Sequence, residues 1–356
     1  MRWDIFCQIV DNYGDAGVCW RLARSLASIH GQEVRIFCDD LPTLNLLASG
    51  VDPAIKQKID VQPWDASHSN ARHPVQTPDV VIEAFGCELP ERYLAGLFIA
   101  SIKPIIINLE YLSAEPWITE FHGKASPQSH GIPKYFFFPG FQQEVGGLLL
   151  DPIPAEGHLT DNNIPNDLKT VWSNLRPGAK RISVFCYPGA PLKKWLEDLG
   201  SLGEEVDILL AHGHAEQLNL YGEQPISFPK NLQLLSMPFV SQDDYDWVLS
   251  QCDFNIVRGE DSFVRAQLAG KPFIWHIYPQ EDRAHEVKLA AFLDLYLEEA
   301  SQELRLATIA AMTWAMPREW FGKLGVWNTH AKRWRTHLHE KQADGGLPAR
   351  LIRFVA

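Results

Sequence analysis

The chain has 356 residues, of which 46% are hydrophobic, and this length suffices for two domains that each bury a core. Its formal net charge of -12 at pH 7 argues against a protein that mainly binds nucleic acid, because phosphate binding needs a basic surface. The six cysteines form no CxxC pair, which is typical of reduced thiols. The chain begins Met-Arg-Trp-Asp and has no apolar run of transmembrane length, so we expect a cytoplasmic protein that does not bind membranes.

The first half of the chain alternates between strand-like and helix-like patterns. A buried strand at 3–10 leads through a glycine-containing loop, 11–17, into an amphipathic helix at 18–30. Further elements are predicted as strands at 33–38, 80–83 and 104–109 and as helices at 41–49 and 90–100. This alternation predicts a parallel sheet with helices on its faces.

The second half repeats the alternation after a segment, 151–165, whose Pro, Gly, Asn and Asp content predicts a linker. Strands are predicted at 181–186, 206–211, 232–237, 254–257 and 273–275. From 282 onward the pattern is wholly helical, and we expect its tryptophans to pack in a core. The sequence therefore predicts an α/β protein of two domains, 1–155 and 166–335, followed by a C-terminal helix at 336–356.

The loop after the first predicted strand is a candidate site, because ligands of open parallel sheets bind beyond the carboxyl ends of the strands. Asp11 and Asp15 place two carboxylates around Asn12, Tyr13 and Gly14. The loop lacks the full GxGxxG fingerprint, and its acids would repel a dinucleotide pyrophosphate, which disfavours a nicotinamide enzyme. The alternative is that Asp15 only caps the following helix.

A second candidate loop follows the strand predicted at 254–257 and consists of Arg258, Gly259, Glu260, Asp261 and Ser262. Backbone N–H groups at the start of the next helix, the Ser262 hydroxyl and the Arg258 guanidinium can bind a diphosphate. Glu260 can accept hydrogen bonds from ribose or sugar hydroxyls. The alternative is an ordinary helix start with acidic residues in its first turn.

A third loop contains a capping box, in which Ser241 is the N-cap of a helix and Asp244 is its partner. Phe239, Gln242 and Tyr245 can line a base pocket, where a pyrimidine would stack on the rings and hydrogen-bond to the amide. Aromatic residues at such spacing also occur in ordinary cores, and that alternative stays open.

Two patterns resemble metal sites, and we reject both. Asp244 and Asp246 match the DxD pattern of metal-dependent glycosyltransferases, but residues two apart in a helix point away from each other. His212 and His214 have no third ligand nearby in the sequence, so we interpret them as loop histidines.

Five blocks of the sequence carry a close resemblance to a known family. They are DNYGDAGVCWRLARSLA from Asp11, NLEYLSAEPW from Asn108, KYFFFPGF from Lys134, GGLLLD from Gly146 and RGEDSFVRAQLAGKPFIWHIYPQ from Arg258. In these blocks and their order, the chain resembles the EarP family of elongation factor P arginine rhamnosyltransferases.

The resemblance implies a GT-B glycosyltransferase fold, in which two Rossmann-like domains face each other across a cleft and the C-terminal helix returns to the N-terminal domain. It implies that the N-terminal domain binds translation elongation factor P and that the C-terminal domain binds dTDP-β-L-rhamnose. Rhamnose would move to an arginine of the factor with inversion at the anomeric carbon, without a metal or other cofactor. The modified factor would then relieve ribosome stalling at polyproline.

The resemblance also implies roles for single residues. Asp11 and Asp15 match two functional aspartates of the family, with Asp15 the candidate general base, and Glu260 matches a third functional acid. Asn12, Tyr13 and Gly14 would then belong to the loop that binds the sugar or the acceptor. The implied nucleotide-binding residues are Tyr187, Phe239, Gln242, Tyr245, Arg258, Gly259, Glu260, Asp261 and Ser262.

Two other functions remain compatible with the residues. One is a nucleotide-sugar epimerase or hydrolase on the same scaffold, because a fold does not fix a reaction. The other is a noncatalytic dTDP-sugar sensor, which would keep Arg258 and Ser262 but would have no use for the two acids of the first loop.

Overall fold

The computed structural model describes residues 1–10, 13–49, 51–64, 76–129, 131–150, 164–217 and 228–356. The chain divides into two compact units, 1–151 together with 338–356, and 152–337. These boundaries lie close to the predicted ones at 155 and 336. The predicted linker, 151–165, falls almost wholly outside the described residues.

The described residues of the N-terminal unit form a six-stranded sheet in which all strands are parallel. Its strands are β1 (Arg2–Cys7), β2 (Glu33–Cys38), β3 (Ile59–Pro63), β4 (Val80–Ala84), β5 (Ile105–Leu109) and β6 (Lys134–Phe137). Their spatial order is β3-β2-β1-β4-β5-β6. The sequence did not predict β3, because its exposed polar residues interrupt the apolar pattern at this edge of the sheet.

Helices cover the sheet of the N-terminal unit, and they are α1 (Gly14–Ser28), α2 (Leu41–Leu47), α3 (Pro53–Lys56), α4 (Glu91–Ile99) and α5 (Ile118–Phe121). The prediction that the first helix starts at 18 was wrong, because the turn residues from Gly14 onward already adopt helical geometry. Asp15 consequently belongs to the helix rather than to the loop before it.

The described residues of the C-terminal unit form a second parallel sheet, with five strands. These are β7 (Lys180–Val184), β8 (Val206–Leu210), β9 (Leu232–Ser236), β10 (Phe254–Arg258) and β11 (Phe273–His276), arranged in the order β11-β10-β7-β8-β9. Each predicted strand of this half is present, with ends that differ by at most two residues. The central residues of β7, β8, β10 and β11 are fully buried, as expected for strands covered on both faces, whereas those of the edge strand β9 are half-buried.

The later part of the chain is helical, as predicted, but the single helix predicted at 336–356 is wrong, because a break after Lys341 separates two helices, Leu324–Lys341 and Gly346–Val355. The helices after the linker are α6 (Lys169–Ser173), α7 (Leu192–Gly200), α8 (His214–Gln217), α9 (Gln242–Gln251), α10 (Asp261–Ala269), α11 (Ala284–Tyr296), α12 (Gln302–Met312), α13 (Leu324–Lys341) and α14 (Gly346–Val355). Trp320, Trp327 and Trp334 are buried, and Trp320 stacks on Phe254 with ring centroids 5.0 Å apart. These tryptophans therefore pack in the core, whereas Trp314 is half-buried.

Both sheets reverse their strand order at one point, between β1 and β4 in the N-terminal unit and between β7 and β10 in the C-terminal unit. At such a switch point the connections leave in opposite directions, and a crevice opens beyond the carboxyl ends of the two central strands. The start of α1, which carries Asp15, follows β1, and the turn at Gly259 and Glu260 follows β10. Two of the three candidate loops therefore lie at the switch points.

Candidate functional site

Asp15 lies in the first turn of α1 and is only 3% exposed. Its carboxylate Oδ2 accepts a hydrogen bond from the backbone N–H of Val10, at 2.9 Å, and thereby fixes the chain that follows β1. The alternative that Asp15 is the helix cap is wrong, because Tyr13 is the N-cap and caps through no side-chain hydrogen bond. Asp11 and Asn12 lie outside the described residues.

Buried thiols, those of Cys7 and Cys19, lie near Asp15. The pKa of Cys19 is raised, chiefly by burial, and the nearby negative charge of Asp15 adds to the shift. All six cysteines of the chain are free and buried, in agreement with the prediction of reduced thiols. The thiols near Asp15 therefore stay protonated and place no negative charge beside its carboxylate.

The same edge of the N-terminal sheet carries aromatic residues that the sequence did not single out. Phe85, directly after β4, has a φ of 59°, a left-handed conformation that is uncommon outside glycine. Its ring stacks on that of Tyr111, which follows β5, with centroids 4.6 Å apart. Glu110 lies beside them, and burial raises the pKa of its carboxyl group. Their positions directly after two neighbouring strands were the signal that could have identified them.

In the C-terminal unit, Arg258 ends β10 and is 7% exposed. Its guanidinium carbon lies 4.3 Å from the ring centroid of Phe185 and 4.8 Å from that of Tyr187. Nη1 donates to the backbone carbonyl of Cys186 at 3.3 Å. Aromatic faces, including that of Tyr187, and a carbonyl thus hold a desolvated cation at the switch point. The implied role of Tyr187 in nucleotide binding stays a prediction.

The turn between β10 and α10 places the other residues of the second loop. Gly259 has a φ of 64°, which a side chain would strain, and its carbonyl accepts from the indole N–H of Trp275 at 2.9 Å. Glu260 is the N-cap of α10 but makes no side-chain cap, and Asp261 lies in the first turn, so the alternative of an ordinary helix start with acidic first-turn residues stays open. Its carboxylate lies 2.6 Å from the ammonium of Lys288 on α11. Sequence reasoning missed Lys288, which lies far along the chain in an unremarkable helical pattern.

The third loop contacts the second. Ser241 caps α9 by accepting from the N–H of Asp244, as predicted. The side-chain amide of Gln242 donates to the Asp261 carboxylate at 2.9 Å, so the starts of α9 and α10 are joined. Tyr245 packs against the hydrophobic cluster under α9, with its hydroxyl buried.

The other predicted pocket residues of this edge, Phe239 and Ser262, are half-buried. Phe239, after β9, meets the ring of His212, after β8, at a centroid distance of 6.5 Å. Ser262 lies in the first turn of α10 and is half-buried. The structure therefore pairs Arg258 with Tyr187 and, separately, Gln242 with Asp261, whereas Tyr245 faces the core.

Two histidines flank Arg258, and both are held neutral. His276, at the end of β11, accepts the backbone N–H of Tyr187 on Nδ1 at 3.1 Å. Burial, and secondarily the charge of Arg258, lowers the pKa of His276 to about 4. His214 is buried against the backbone of Cys186, and burial likewise lowers its pKa. At neutral pH, Arg258 is therefore the cation of this cluster.

The rejected metal patterns have other structural roles. Asp246 pairs with the buried Arg265 at 2.8 Å, while Asp244 accepts from the Ser241 hydroxyl, so the two carboxylates are engaged separately. Within the described ranges, no group of three or more His, Cys, Asp or Glu side chains is placed to hold a metal ion. No helix among those residues is long and apolar enough to cross a membrane.

The chemistry available to each unit follows from these side chains. The N-terminal unit offers a buried carboxylate that can orient a cation or accept a proton. The C-terminal unit offers a fixed guanidinium and a helix start, which suit an anionic phosphate, together with polar and aromatic groups that suit a nucleoside. Such a pair of sites fits transfer from a nucleotide-activated donor to a basic acceptor.

Comparison with known proteins identifies the family. The family model of the elongation factor P (EF-P) rhamnosyltransferase EarP matches residues 3–356. The chain is 40% identical to a protein-arginine rhamnosyltransferase of Pseudomonas putida, over 99% of this chain and 98% of that protein. It is 38% identical to the protein-arginine rhamnosyltransferase of Pseudomonas aeruginosa, with the same coverage.

Solved structures agree with this result. A structure that concerns EarP-mediated arginine glycosylation of translation elongation factor EF-P matches with 28% identity and a TM-score of 0.62, over 99% of this chain and 98% of that chain. The calicheamicin glycosyltransferase CalG4 matches with 14% identity and a TM-score of 0.51, over 100% and 97% of the two chains. The second match shows the fold alone, which is that of two-domain glycosyltransferases. The chain belongs to the EarP family of elongation factor P rhamnosyltransferases.

Proposed function

We propose that this protein transfers L-rhamnose from dTDP-β-L-rhamnose to an arginine side chain of translation elongation factor P, with inversion at the anomeric carbon and without a metal. The observation that carries the proposal is the match to the EarP family over residues 3–356. The modified factor would then act in relief of ribosome stalling at polyproline. The geometry supports the proposal because the Asp15 carboxylate and the Arg258 guanidinium lie at the switch points of the two sheets.

The acceptor needs help from the protein because a guanidinium is a poor nucleophile. Its pKa is roughly 13.8, and its nitrogen lone pairs are delocalised. Asp15, assisted by Asp11, binds the guanidinium and breaks its symmetry. As one nitrogen forms the bond to C1 of rhamnose, that nitrogen becomes far more acidic, and its proton passes to the Asp15 carboxylate.

The donor supplies the carbon that is attacked and the leaving group. The bond between C1 and the diphosphate oxygen breaks, and dTDP leaves with the electron pair. Arg258 and the N–H groups at the start of α10 stabilise the charge that develops on the diphosphate. Glu260 accepts hydrogen bonds from ribose or sugar hydroxyls while Lys288 holds its carboxylate in place.

Intact mass of elongation factor P tests the proposal, after incubation with this protein and dTDP-rhamnose in EDTA. The wild-type protein should add one deoxyhexose. Asp15→Asn should lower the rate by about 10²- to 10⁴-fold, because it removes the proton acceptor while its amide oxygen still accepts the N–H of Val10.

Asp39→Asn is a matched control, since Asp39 accepts the neighbouring backbone N–H, that of Ile9, at 3.0 Å. Its transfer rate should stay within a few-fold of wild type. Equal losses in the two variants would mean that Asp15 only shapes the loop. A wild-type protein that binds dTDP-rhamnose but leaves the factor unmodified would contradict the transferase, and analysis of the nucleotide products would then separate an epimerase or hydrolase from a sensor.

A further inference from the structure

His276 lies beside Arg258 in the sheet of the C-terminal unit. It ends β11 and pairs in register with Arg258 on β10, so both residues lie at the carboxyl edge of the sheet. Its ring makes edge contacts with Tyr187, at a centroid distance of 5.4 Å, and with Trp314, at 5.2 Å. The imidazole is thereby packed on two sides while remaining half-buried.

The hydrogen bond from the Tyr187 backbone fixes the tautomer of His276. Nδ1 accepts that N–H at 3.1 Å, so the ring proton must reside on Nε2. The pKa of about 4, which results from burial and from Arg258, keeps the ring neutral at physiological pH. No protein partner for the Nε2–H is found among the described residues.

The surroundings of this donor fit an anion. Arg258 supplies the positive charge, and Tyr187 contacts both the guanidinium and the imidazole. A neutral histidine beside a cation adds a directed hydrogen bond without repelling that cation. Phosphate oxygens are the acceptors that such a pair of donors suits.

We propose that His276 binds the diphosphate of the nucleotide-sugar donor through its Nε2–H, while its Nδ1 holds the Tyr187 backbone in place. The proposal rests on the proposed function, because it assigns a ligand to the donor site of that reaction. His276 is then a substrate-binding residue in addition to the loop residues from Arg258 to Ser262.

Calorimetric titration of the full chain with dTDP tests this role. His276→Asn places an amide oxygen where Nδ1 lies, so the variant retains the acceptor for Tyr187 and loses the Nε2–H. Because a hydrogen bond to a charged group is lost, its affinity for dTDP should fall by about 10- to 100-fold. His122→Asn is the matched control, since His122 in the other unit also accepts a backbone N–H on Nδ1, that of Phe138 at 3.1 Å.

An affinity of His276→Asn within about twofold of wild type would overturn the proposal. If His276→Asn unfolds at a much lower temperature than His122→Asn, the role of His276 is tested instead on the wild-type protein. Long-range ¹H–¹⁵N spectra of the ¹⁵N-histidine-labelled protein then report whether its imidazole contacts dTDP. The proposal expects a signal of a neutral Nε2–H tautomer to shift when dTDP is added, and the absence of any such shift would contradict it. A wild-type protein that fails to bind dTDP would instead contradict the proposed function itself.

Discussion

His122 and His276, one in each unit, show how burial controls protonation. Each accepts a backbone N–H on Nδ1, and burial lowers each pKa from 6.5 to about 4. Between these values the unfolded chain binds protons that the folded protein excludes, so the free energy of unfolding decreases as pH falls. Both histidines therefore contribute stability that is complete above pH 6.5 and is lost toward pH 4.

His122→Asn should reduce this pH dependence because asparagine keeps the acceptor but does not titrate. Between pH 6.5 and about 4, the range set by the shifted pKa, the urea midpoint should fall less steeply in the variant than in the wild-type protein. Carboxylates titrate equally in both proteins, so the difference between the two curves reports the histidine. Parallel curves would mean that His122 is protonated equally in the folded and unfolded states.

Single residues of the candidate site were partly predictable. Asp15, Arg258 and Ser262 stood out because each follows a predicted strand at the start of a helix. The hydrogen bond between Gln242 and Asp261 could not be read from the sequence, because the two residues belong to different loops. The prediction that the amide of Gln242 binds a base must therefore allow for its contact with Asp261.

At the scale of elements, the pairing of α9 with α10 depends on a buried ion pair. Asp246 of α9 and Arg265 of α10 are 2.8 Å apart, with 3% and 1% of their side chains exposed. Removing one partner leaves the other charge in a medium that solvates it poorly, which is strongly destabilising. The pair therefore fixes the register of the two helices whose first turns carry Gln242 and Asp261.

Arg265→Met should lower the free energy of unfolding by about 3–5 kcal/mol, measured by denaturant titration with tryptophan fluorescence. Arg283→Met is the control, since the Arg283–Glu286 pair at the start of α11 is largely exposed and its loss should leave the free energy of unfolding nearly unchanged. Combining Arg265→Met with Asp246→Leu should recover part of the loss. A similar small effect of both single variants would show that the buried pair contributes no more than an exposed one.

The elements themselves were largely predictable because apolar runs and turn residues determine them locally. The predicted strand at 33–38 coincides with β2, and the remaining predicted strands differ mainly at their ends. The first helix was misplaced because glycines, which usually signal a turn, occupy its first turn. Strand β3 was missed because its stability comes from pairing with β2 rather than from its own pattern.

At the scale of the whole molecule, the end of the chain returns to its beginning. Residues 338–356 belong to the N-terminal unit, where Leu351 of α14 is fully buried. Arg350 donates to the backbone carbonyl of Val145 at 2.7 Å and also to those of Gln142 and Gln143. Gly147 allows this approach, because a Cβ there would lie 2.5 Å from the side chain of Gln342.

Arg350→Met should therefore destabilise the N-terminal unit, because three backbone carbonyls lose a buried donor. Hydrogen exchange should become faster in β6 and around residues 142–149, while amides of the C-terminal sheet keep their protection. Arg353→Met provides the comparison, since Arg353 lies on the same helix but is 52% exposed and should change little. Faster exchange in both units of Arg350→Met would indicate instead that the chain unfolds as a single cooperative body.

The sequence by itself determined the two-domain α/β class, most strands and helices, and the loops that carry the candidate acids and the candidate diphosphate-binding residues. These features depend on local periodicity and turn chemistry, which neighbouring residues encode. Only the tertiary structure decided the strand order and hence the switch points at which those loops lie. It also decided the partners of Glu260, Gln242 and His276, because contacts between distant segments follow from packing rather than from spacing.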